Sequence, residues 1–232
     1  MAQPIDLYYW PTPNGWKVSI FLEEGGLDYN VVPVDIGAGD QYNPEYLKIS
    51  PNNKMPAIVD PEGPDGEPIS IFESGAILIY LSEKTGQFMP QEVRARYNAL
   101  EWLMFQMGSV GPMLGQAHHF RQYAPEEISY AIDRYTNEAA RIYGVIDRHL
   151  ADKDYFVGDY SLVDMAIYTW LVPYENQGQK LEDYPNLARW FERVSDRPAV
   201  QRGLKVGEEL RRPLQDMDEE DRNKLFGISD KK

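Results

Sequence analysis

The pattern of apolar and polar residues between positions 50 and 78 of the 232-residue chain predicts a strand, a turn, a second strand and a helix. Two short apolar runs, at residues 57–59 and 69–71, flank a stretch at residues 61–68 that holds three prolines and two glycines. Prolines and glycines at this density interrupt regular structure, so the pattern predicts a β-hairpin with a loose loop. Apolar residues then recur at helical spacing, which predicts a helix that begins at Ser74.

The segments before this hairpin alternate between strand and helix patterns. An apolar and aromatic strand at residues 5–10 leads into a loop at residues 11–15, and helical spacing begins at Val18. A second strand at residues 29–34 and a short helix at residues 42–49 follow. The predicted order through the hairpin and its helix is β-α-β-α-β-β-α, which defines an α/β domain.

The hydrophobic pattern changes after Gly86, where strand alternation stops and long helical stretches begin. The predicted helices of this second half lie at residues 91–120, 125–150, 184–194 and 198–210. We therefore predict an α/β domain at residues 1–87 and an all-α domain at residues 91–232. Residues 215–223 hold five acidic residues and one arginine, which predicts a solvated acidic tail.

Ser161 and Asp164 have the spacing of a helix start in the second half of the chain. A serine at the N-cap and an acidic residue three positions later can each accept a hydrogen bond from an unpaired backbone N–H group. We interpret this pair as a structural cap that stabilises a helix, not as a catalytic pair.

Glu73 and Ser74 form a candidate binding site for an α-amino acid head group. Unpaired backbone N–H groups and the positive end of the helix dipole attract a carboxylate to the predicted helix start at Ser74. The neighbouring carboxylate of Glu73 is suited to an ammonium group. An α-amino acid carries both charges, so the pair predicts such a group in the ligand.

Met55 and Pro56 precede the first strand of the predicted hairpin. Proline cannot donate to a sheet ladder, so Pro56 belongs at the start of a strand or at a sheet edge. We predict a cis Met55–Pro56 bond, which would turn the backbone N–H and C=O of Met55 outward to pair with an extended peptide. Backbone pairing beside an amino-acid site favours a small peptide as ligand.

Charge and composition exclude several classes of function. The chain has 23 basic and 37 acidic residues, and its net charge of −14 disfavours nucleic acids and anionic membranes as partners. It has no cysteine, which excludes disulfides, thiolate metal sites and a protein thiol nucleophile. Adjacent histidines at His118 and His119 point about 100° apart on a helix, so we predict no metal site. No apolar run reaches the ~18 residues of a membrane helix, and we expect a soluble, cytoplasmic protein.

Three segments in chain order resemble the cytosolic glutathione transferases and, within that superfamily, the Nu class. They are TPNG from Thr12, SPNNKMPAIVD from Ser50 and FESGAIL from Phe72. The likeness extends over nearly the whole chain and includes the change to an all-helical second half. It implies a thioredoxin-like N-terminal domain, an all-α C-terminal domain, glutathione as co-substrate and a homodimer.

The resemblance implies that Thr12 and Asn14 hydrogen-bond the glutathione sulfur and are the catalytic residues. One alternative is that this proline-rich loop is only a turn, with Asn14 as the cap of the following helix. A second alternative is Tyr9, because other classes of the superfamily use a tyrosine near the end of the first strand. Nu-class relatives commonly carry phenylalanine at the Tyr9 position, so this chain departs from the pattern there.

The resemblance also implies the other substrate-binding residues. Gln41, Asn53 and Lys54 would bind the glycine end of glutathione, although each can equally be an ordinary surface residue. Arg134 matches a position from which the neighbouring subunit reaches glutathione. Its alternative role is that of an exposed helical partner of Glu138 or Tyr130.

The resemblance implies a glutathione-dependent disulfide-bond reductase that uses the glutathione thiolate as nucleophile. Each pocket would hold two glutathiones or one glutathione disulfide, and the second substrate would be a small electrophile or a disulfide. One alternative is a conventional glutathione S-transferase that conjugates electrophiles. Another is a non-catalytic glutathione-binding regulator or ligand carrier.

Overall fold

A computed structural model describes residues 3–211 of the chain. The acidic tail predicted at residues 215–223 lies outside the described residues. The chain divides into two compact units, one running up to Tyr80 and resuming at Arg202, the other comprising residues 81–201. The division after Tyr80 lies a few residues before the domain boundary predicted between residues 87 and 91. That predicted boundary stays a prediction.

The first unit contains a four-stranded sheet in the order β2-β1-β3-β4. Its strands are β1 (Ile5–Tyr9), β2 (Tyr29–Pro33), β3 (Ala57–Asp60) and β4 (Ile69–Phe72). Strand β1 runs parallel to β2 and antiparallel to β3, and β3 and β4 form the predicted antiparallel hairpin with Ile58 opposite Ile71. Leu7 and Ile58 are paired across β1 and β3 and are both fully buried, so the sheet's central strands contribute to the core of this unit.

The helices that accompany the sheet are α1 (Pro13–Gly25), α2 (Pro44–Ile49) and α3 (Ser74–Thr85). The predicted α/β order is confirmed, and α3 begins at Ser74 as predicted. The predicted start of α1 at Val18 is wrong, because the helix begins at Pro13. Proline is well tolerated in the first turn of a helix, where its missing N–H group would have no partner.

Two glycines allow close packing around α1. A Cβ atom at Gly15 would lie 2.3 Å from the carbonyl oxygen of Trp10, so the turn from β1 into α1 requires glycine. A Cβ atom at Gly203 would lie 2.6 Å from the Cα of Ile20. The carbonyl of Gly203 also accepts a 2.7 Å hydrogen bond from the Ser19 hydroxyl, which fixes this C-terminal segment on α1.

The described residues after α3 are helical, without a further strand. The helices are α4 (Val93–Phe105), α5 (Gly111–Gln122), α6 (Ser129–His149), α7 (Leu162–Leu171), α8 (Pro185–Ser195) and α9 (Pro198–Lys205). A π-helical segment at Gln106–Val110 joins α4 to α5 within the helical stretch predicted at residues 91–120. The prediction of an α/β domain followed by an all-α domain is confirmed.

The predicted cap of α7 is present. The Ser161 hydroxyl accepts a hydrogen bond from the Val163 N–H group, and Asp164 completes a capping box by accepting from the Ser161 N–H group at 2.9 Å. The carboxylate of Asp164 is fully buried and also accepts from the Trp190 indole N–H at 2.8 Å and from the Phe156 backbone at 3.1 Å. This network ties the start of α7 to α8.

The part of the chain that the structure describes contains no helix that is long and apolar enough to cross a membrane. Within residues 3–211, no group of three or more histidine, aspartate or glutamate side chains is placed to hold a metal ion.

Candidate functional site

A cavity of about 290 Å³ opens in the first unit beside the ends of β3 and β4. It brings together every substrate-binding or catalytic residue predicted from the sequence except Thr12 and Arg134. The lining residues are Asn14, Ile36, Gln41, Ser50, Asn52, Asn53, Lys54, Met55, Pro56, Phe72, Glu73 and Ser74. The wall is largely polar, which suits a hydrophilic ligand.

Thr12 is the N-cap of α1. Its hydroxyl oxygen accepts a 3.3 Å hydrogen bond from the Gly15 N–H group, and the hydroxyl donates to the sulfur of Met55 at 3.7 Å. The alternative in which Asn14 caps this helix is therefore wrong. Asn14 instead lies in the first turn of α1 and lines the cavity.

The segment before β3 forms one side of the cavity and is held by hydrogen bonds to a single carbonyl group. The hydroxyls of Tyr46 and Ser50 each donate to the Lys54 carbonyl at 2.7 Å, while the Lys54 side chain is exposed. The Met55–Pro56 bond is cis, as predicted. These contacts fix the backbone at Met55, which borders the cavity.

Glu73 and Ser74 line the same cavity where β4 ends and α3 begins. Glu73 has a φ of +68°, so the chain turns sharply before the helix. Its carboxylate accepts a 3.2 Å hydrogen bond from the Asn52 side chain. Ser74 is the first residue of α3 and is buried, so the helix N-terminus borders the cavity. Backbone N–H groups at such an end attract anions.

Gln41 is buried in the cavity wall. Its amide nitrogen donates a 3.2 Å hydrogen bond to the Ile36 carbonyl, but its amide oxygen has no hydrogen-bond partner in the structure. A buried acceptor without a donor costs free energy.

Two polar residues of this region, Asn52 and Lys17, were not predicted from the sequence. Lys17 lies on α1 with 1% of its surface exposed, and its ammonium group donates to the Ser74 hydroxyl at 3.2 Å. Burial lowers the pKa of Lys17 to about 7, and the nearby carboxylate of Glu73 opposes this shift. The signal in the sequence was a lysine at the start of the apolar run from Val18 to Leu22, where a solvated charge is out of place.

Tyr9 does not line the cavity. Its side chain is fully buried, and its hydroxyl donates to the Val206 carbonyl at 3.1 Å. Burial raises the pKa of Tyr9 to about 12. A phenol in this position is neutral near pH 7, and its proton is already used within the protein.

Arg134 lies on α6 in the second unit and lines a separate depression there with Met113, Tyr130, Asp133, Tyr135, Asn137, Glu138 and Arg141. Both carboxylate oxygens of Glu138 accept hydrogen bonds from Arg141, at 2.7 and 2.8 Å. Arg141 therefore forms the ion pair with Glu138 that was considered for Arg134, and the charge of Arg134 also contributes to lowering the pKa of Glu138. The reach of Arg134 across a dimer stays a prediction.

Two family comparisons cover most of the described chain. The sequence model of the glutathione S-transferase N-terminal domain matches residues 3–83, and that of the glutathione S-transferase C-terminal domain matches residues 112–198. The disulfide-bond oxidoreductase YfcG from Escherichia coli is 50% identical over 202 residues, which span 86% of this chain and 94% of that protein.

Comparison with solved structures also identifies glutathione transferases as similar proteins. A glutathione transferase from Pseudomonas putida, with one glutathione disulfide bound per subunit, has a TM-score of 0.84 and 45% identity over 88% of this chain and 92% of that one. A glutathione transferase from Burkholderia graminis, with two glutathione molecules per subunit, has the same TM-score and identity over 88% of this chain and 89% of that one. The predicted family is confirmed: the chain belongs to the glutathione S-transferase family.

Proposed function

We propose that this protein is a glutathione-dependent disulfide-bond reductase whose nucleophile is the glutathione thiolate. Each cavity would hold two glutathiones or one glutathione disulfide. The observation that carries the proposal is the polar cavity, in which a helix N-terminus, a carboxylate and the backbone of the segment before β3 border one space. The E. coli relative is a disulfide-bond oxidoreductase, and the P. putida and B. graminis structures hold glutathione disulfide and glutathione; both observations support the proposal.

The γ-glutamyl end of glutathione would bind at the start of α3. The Ser74 hydroxyl and the N-terminal N–H groups of the helix suit its α-carboxylate, and the Glu73 carboxylate suits its ammonium group. The backbone of Met55 would pair with the cysteinyl residue as an added strand. The polar side chains of Gln41, Asn53 and Lys54 would bind the glycine end.

Thr12 and Asn14 would stabilise the thiolate. A free thiol with a pKa of about 8.5 is only ~3% ionised at neutral pH. Lowering that pKa by ~2 units requires about 2.7 kcal/mol, which one or two hydrogen bonds to the anion can supply. The Thr12 hydroxyl now donates to the Met55 sulfur, and a thiolate is a much stronger acceptor than a thioether.

The reaction follows thiol–disulfide exchange. The thiolate of the first glutathione attacks one sulfur of the disulfide, forms a mixed disulfide and releases a thiolate, which takes up a proton. The second glutathione then attacks the glutathione sulfur of the mixed disulfide. The products are glutathione disulfide and two thiols, so no cysteine of the protein is required.

We also propose a homodimer in which Arg134 of each subunit reaches the glutathione of the other. An exposed apolar stripe on α4 offers a surface for subunit contact. Val93, Tyr97 and Met104 are 67%, 65% and 53% exposed. Neighbouring apolar side chains with this exposure are typical of protein interfaces.

The test is a comparison of two reactions with the same enzyme and glutathione. We expect substantial reduction of 2-hydroxyethyl disulfide and weak conjugation of chlorodinitrobenzene. Robust conjugation without disulfide reduction would contradict the reductase proposal and favour a conventional transferase. Glutathione binding without either reaction would favour a regulator or carrier.

A further inference from the structure

Met55 places a thioether sulfur in the wall of the cavity, next to a hydroxyl group of the proposed catalytic pair. Its side chain is half-buried and packs against the apolar cluster of Val34, Tyr46 and Ala57. Its sulfur accepts a 3.7 Å hydrogen bond from the Thr12 hydroxyl. The proposed reaction uses the backbone of Met55 but gives its sulfur no role.

The Thr12 hydroxyl has a single proton, and the hydrogen bonds of this group show where that proton points. As the cap of α1, the hydroxyl oxygen accepts from the Gly15 N–H group at 3.3 Å. The proton is directed at the sulfur of Met55. A thioether is a weak acceptor, so the hydroxyl can give up this hydrogen bond for one to a glutathione thiolate in the cavity.

Oxidation of the Met55 sulfur would change this competition. A peroxide converts the apolar thioether of methionine into a polar sulfoxide, whose oxygen is a hydrogen-bond acceptor. The chain has no cysteine, so methionine supplies all the sulfur atoms that a peroxide can oxidise. Met55 lines the cavity, where a small oxidant can reach its side chain.

We propose that Met55 is an oxidation site that switches off the proposed reaction, because its sulfoxide oxygen accepts the Thr12 proton and withholds it from the glutathione sulfur. This inference rests on the proposed function, since it requires Thr12 to stabilise the glutathione thiolate. In the oxidation, the sulfur gives two electrons to hydrogen peroxide and the O–O bond breaks. One oxygen bonds to the sulfur, and the other leaves as water. A methionine sulfoxide reductase reverses the change with electrons from a dithiol.

The test measures the reduction of 2-hydroxyethyl disulfide before and after treatment with hydrogen peroxide, which is removed before the assay. When Met55 is fully oxidised, we expect wild-type turnover to fall by roughly tenfold or more, the loss expected when a hydrogen bond to an anion is removed. Peptide mass spectrometry should show one added oxygen at Met55, in proportion to the loss of activity. Methionine sulfoxide reductase with a dithiol should restore the activity.

Three variants, each compared with itself before and after peroxide, locate the effect. Met55→Leu has no sulfur at this position and should keep its activity. Met104→Leu is the matched control, because Met104 is a methionine on α4 that is 53% exposed, and it should lose activity as the wild type does. Thr12→Ala should lose little of its remaining activity, because the proton that the sulfoxide would accept is already absent.

Full oxidation of Met55 in the wild-type protein without loss of activity would overturn the inference, and this outcome requires no variant to fold. A Met55 side chain that peroxide leaves unoxidised would overturn it as well. So would a loss in Met55→Leu or Thr12→Ala equal to that of the wild type. Absence of disulfide reduction by the untreated wild-type protein would overturn the proposed function itself, and this result is seen before any peroxide is added.

Discussion

Thr12, Asn14 and Tyr9 are close in sequence but differ in their access to the cavity. Asn14 borders it, and the Thr12 hydroxyl contacts the sulfur of Met55, another lining residue. The Tyr9 hydroxyl is buried and donates to the Val206 carbonyl. The geometry therefore favours the two short side chains as donors to a ligand sulfur, and it assigns Tyr9 to the packing of the C-terminal segment.

Replacing these donors one at a time should separate their roles. Thr12→Ala and Asn14→Ala should each lower the turnover of 2-hydroxyethyl disulfide by roughly 10-fold to 100-fold, the loss expected for a hydrogen bond to an anion. Tyr9→Phe should leave turnover nearly unchanged and lower the free energy of unfolding by about 1 kcal/mol, because a buried hydrogen bond is lost. Steady-state kinetics and chemical denaturation measure the two effects. Loss of turnover in Tyr9→Phe alone would contradict this assignment.

Lys17 illustrates why part of the site could not be predicted from the sequence. The neighbouring Glu73 and Ser74 were predicted because they are adjacent in the chain and mark a helix start. The contact between Lys17 and Ser74 joins residues 57 positions apart, and it depends on how α1 packs against the start of α3. A lysine in a helix is usually solvated, so local pattern alone does not indicate a buried one.

At the level of elements, hydrophobic pattern predicted the hairpin, α3 and the order of the first unit. Prediction from the hydrophobic pattern failed where a residue departs from its usual structural role. Pro13 was interpreted as part of a loop, although proline is compatible with the first turn of α1. Gly108, Gly111 and Pro112 indicate an interruption of the long helical stretch in this region, but the spacing of apolar residues does not show that the interruption is the π-helical segment Gln106–Val110.

The cap of α7 was predicted from sequence, but the wider network of Asp164 was not, because Phe156 and Trp190 join it through tertiary contacts. Asp164→Asn should lower the free energy of unfolding by about 2–4 kcal/mol. The amide nitrogen of asparagine is a donor, and it would face N–H groups that now donate to the carboxylate. Chemical denaturation measures this change. Asp152→Asn, at an exposed carboxylate, is the control and should leave stability nearly unchanged. Equal stability of both variants would refute the importance of the network.

The same carboxyl group predicts a pH dependence. Burial raises the pKa of Asp164 to about 6, and its hydrogen bonds oppose the shift. The pKa of this carboxyl group is higher in the folded protein than in the unfolded chain, so the folded protein binds more protons. The stability that this group contributes is therefore lost as the pH rises through about 6. The stability difference between wild type and Asp164→Asn should therefore narrow from about pH 4 to neutral pH. A stability difference that widens between pH 4 and neutral pH would contradict the raised pKa of Asp164.

At the level of the whole molecule, sequence analysis predicted the family and the succession of an α/β and an all-α part. These follow from local pattern and from motifs whose residues lie close together. Assembly depends on surfaces that meet another subunit, so the homodimer and the role of Arg134 stay predictions. The exposed residues Val93 and Tyr97 on α4 are the observation that favours subunit contact.

Arg134→Ala should raise the KM for glutathione several-fold with little change in kcat. The positive charge of an exposed arginine would help to bind the anionic substrate but would take no part in the chemical step. Arg148→Ala, an exposed arginine on the same helix, is the matched control and should leave KM unchanged. Light scattering measures the dimer independently. A monomer in solution, or equal KM values for the two variants, would contradict the contribution of Arg134 from a second subunit.

In the proposed reaction, one cavity holds both glutathione thiols. The most direct measurement is a crystal structure of the protein with glutathione, in which the molecules bound in the cavity bordered by Asn14, Gln41 and Glu73 are counted. We expect two glutathiones or one glutathione disulfide per subunit, with a sulfur within hydrogen-bonding distance of Thr12 or Asn14. A single glutathione whose sulfur contacts neither residue, with no space for a second, would contradict it.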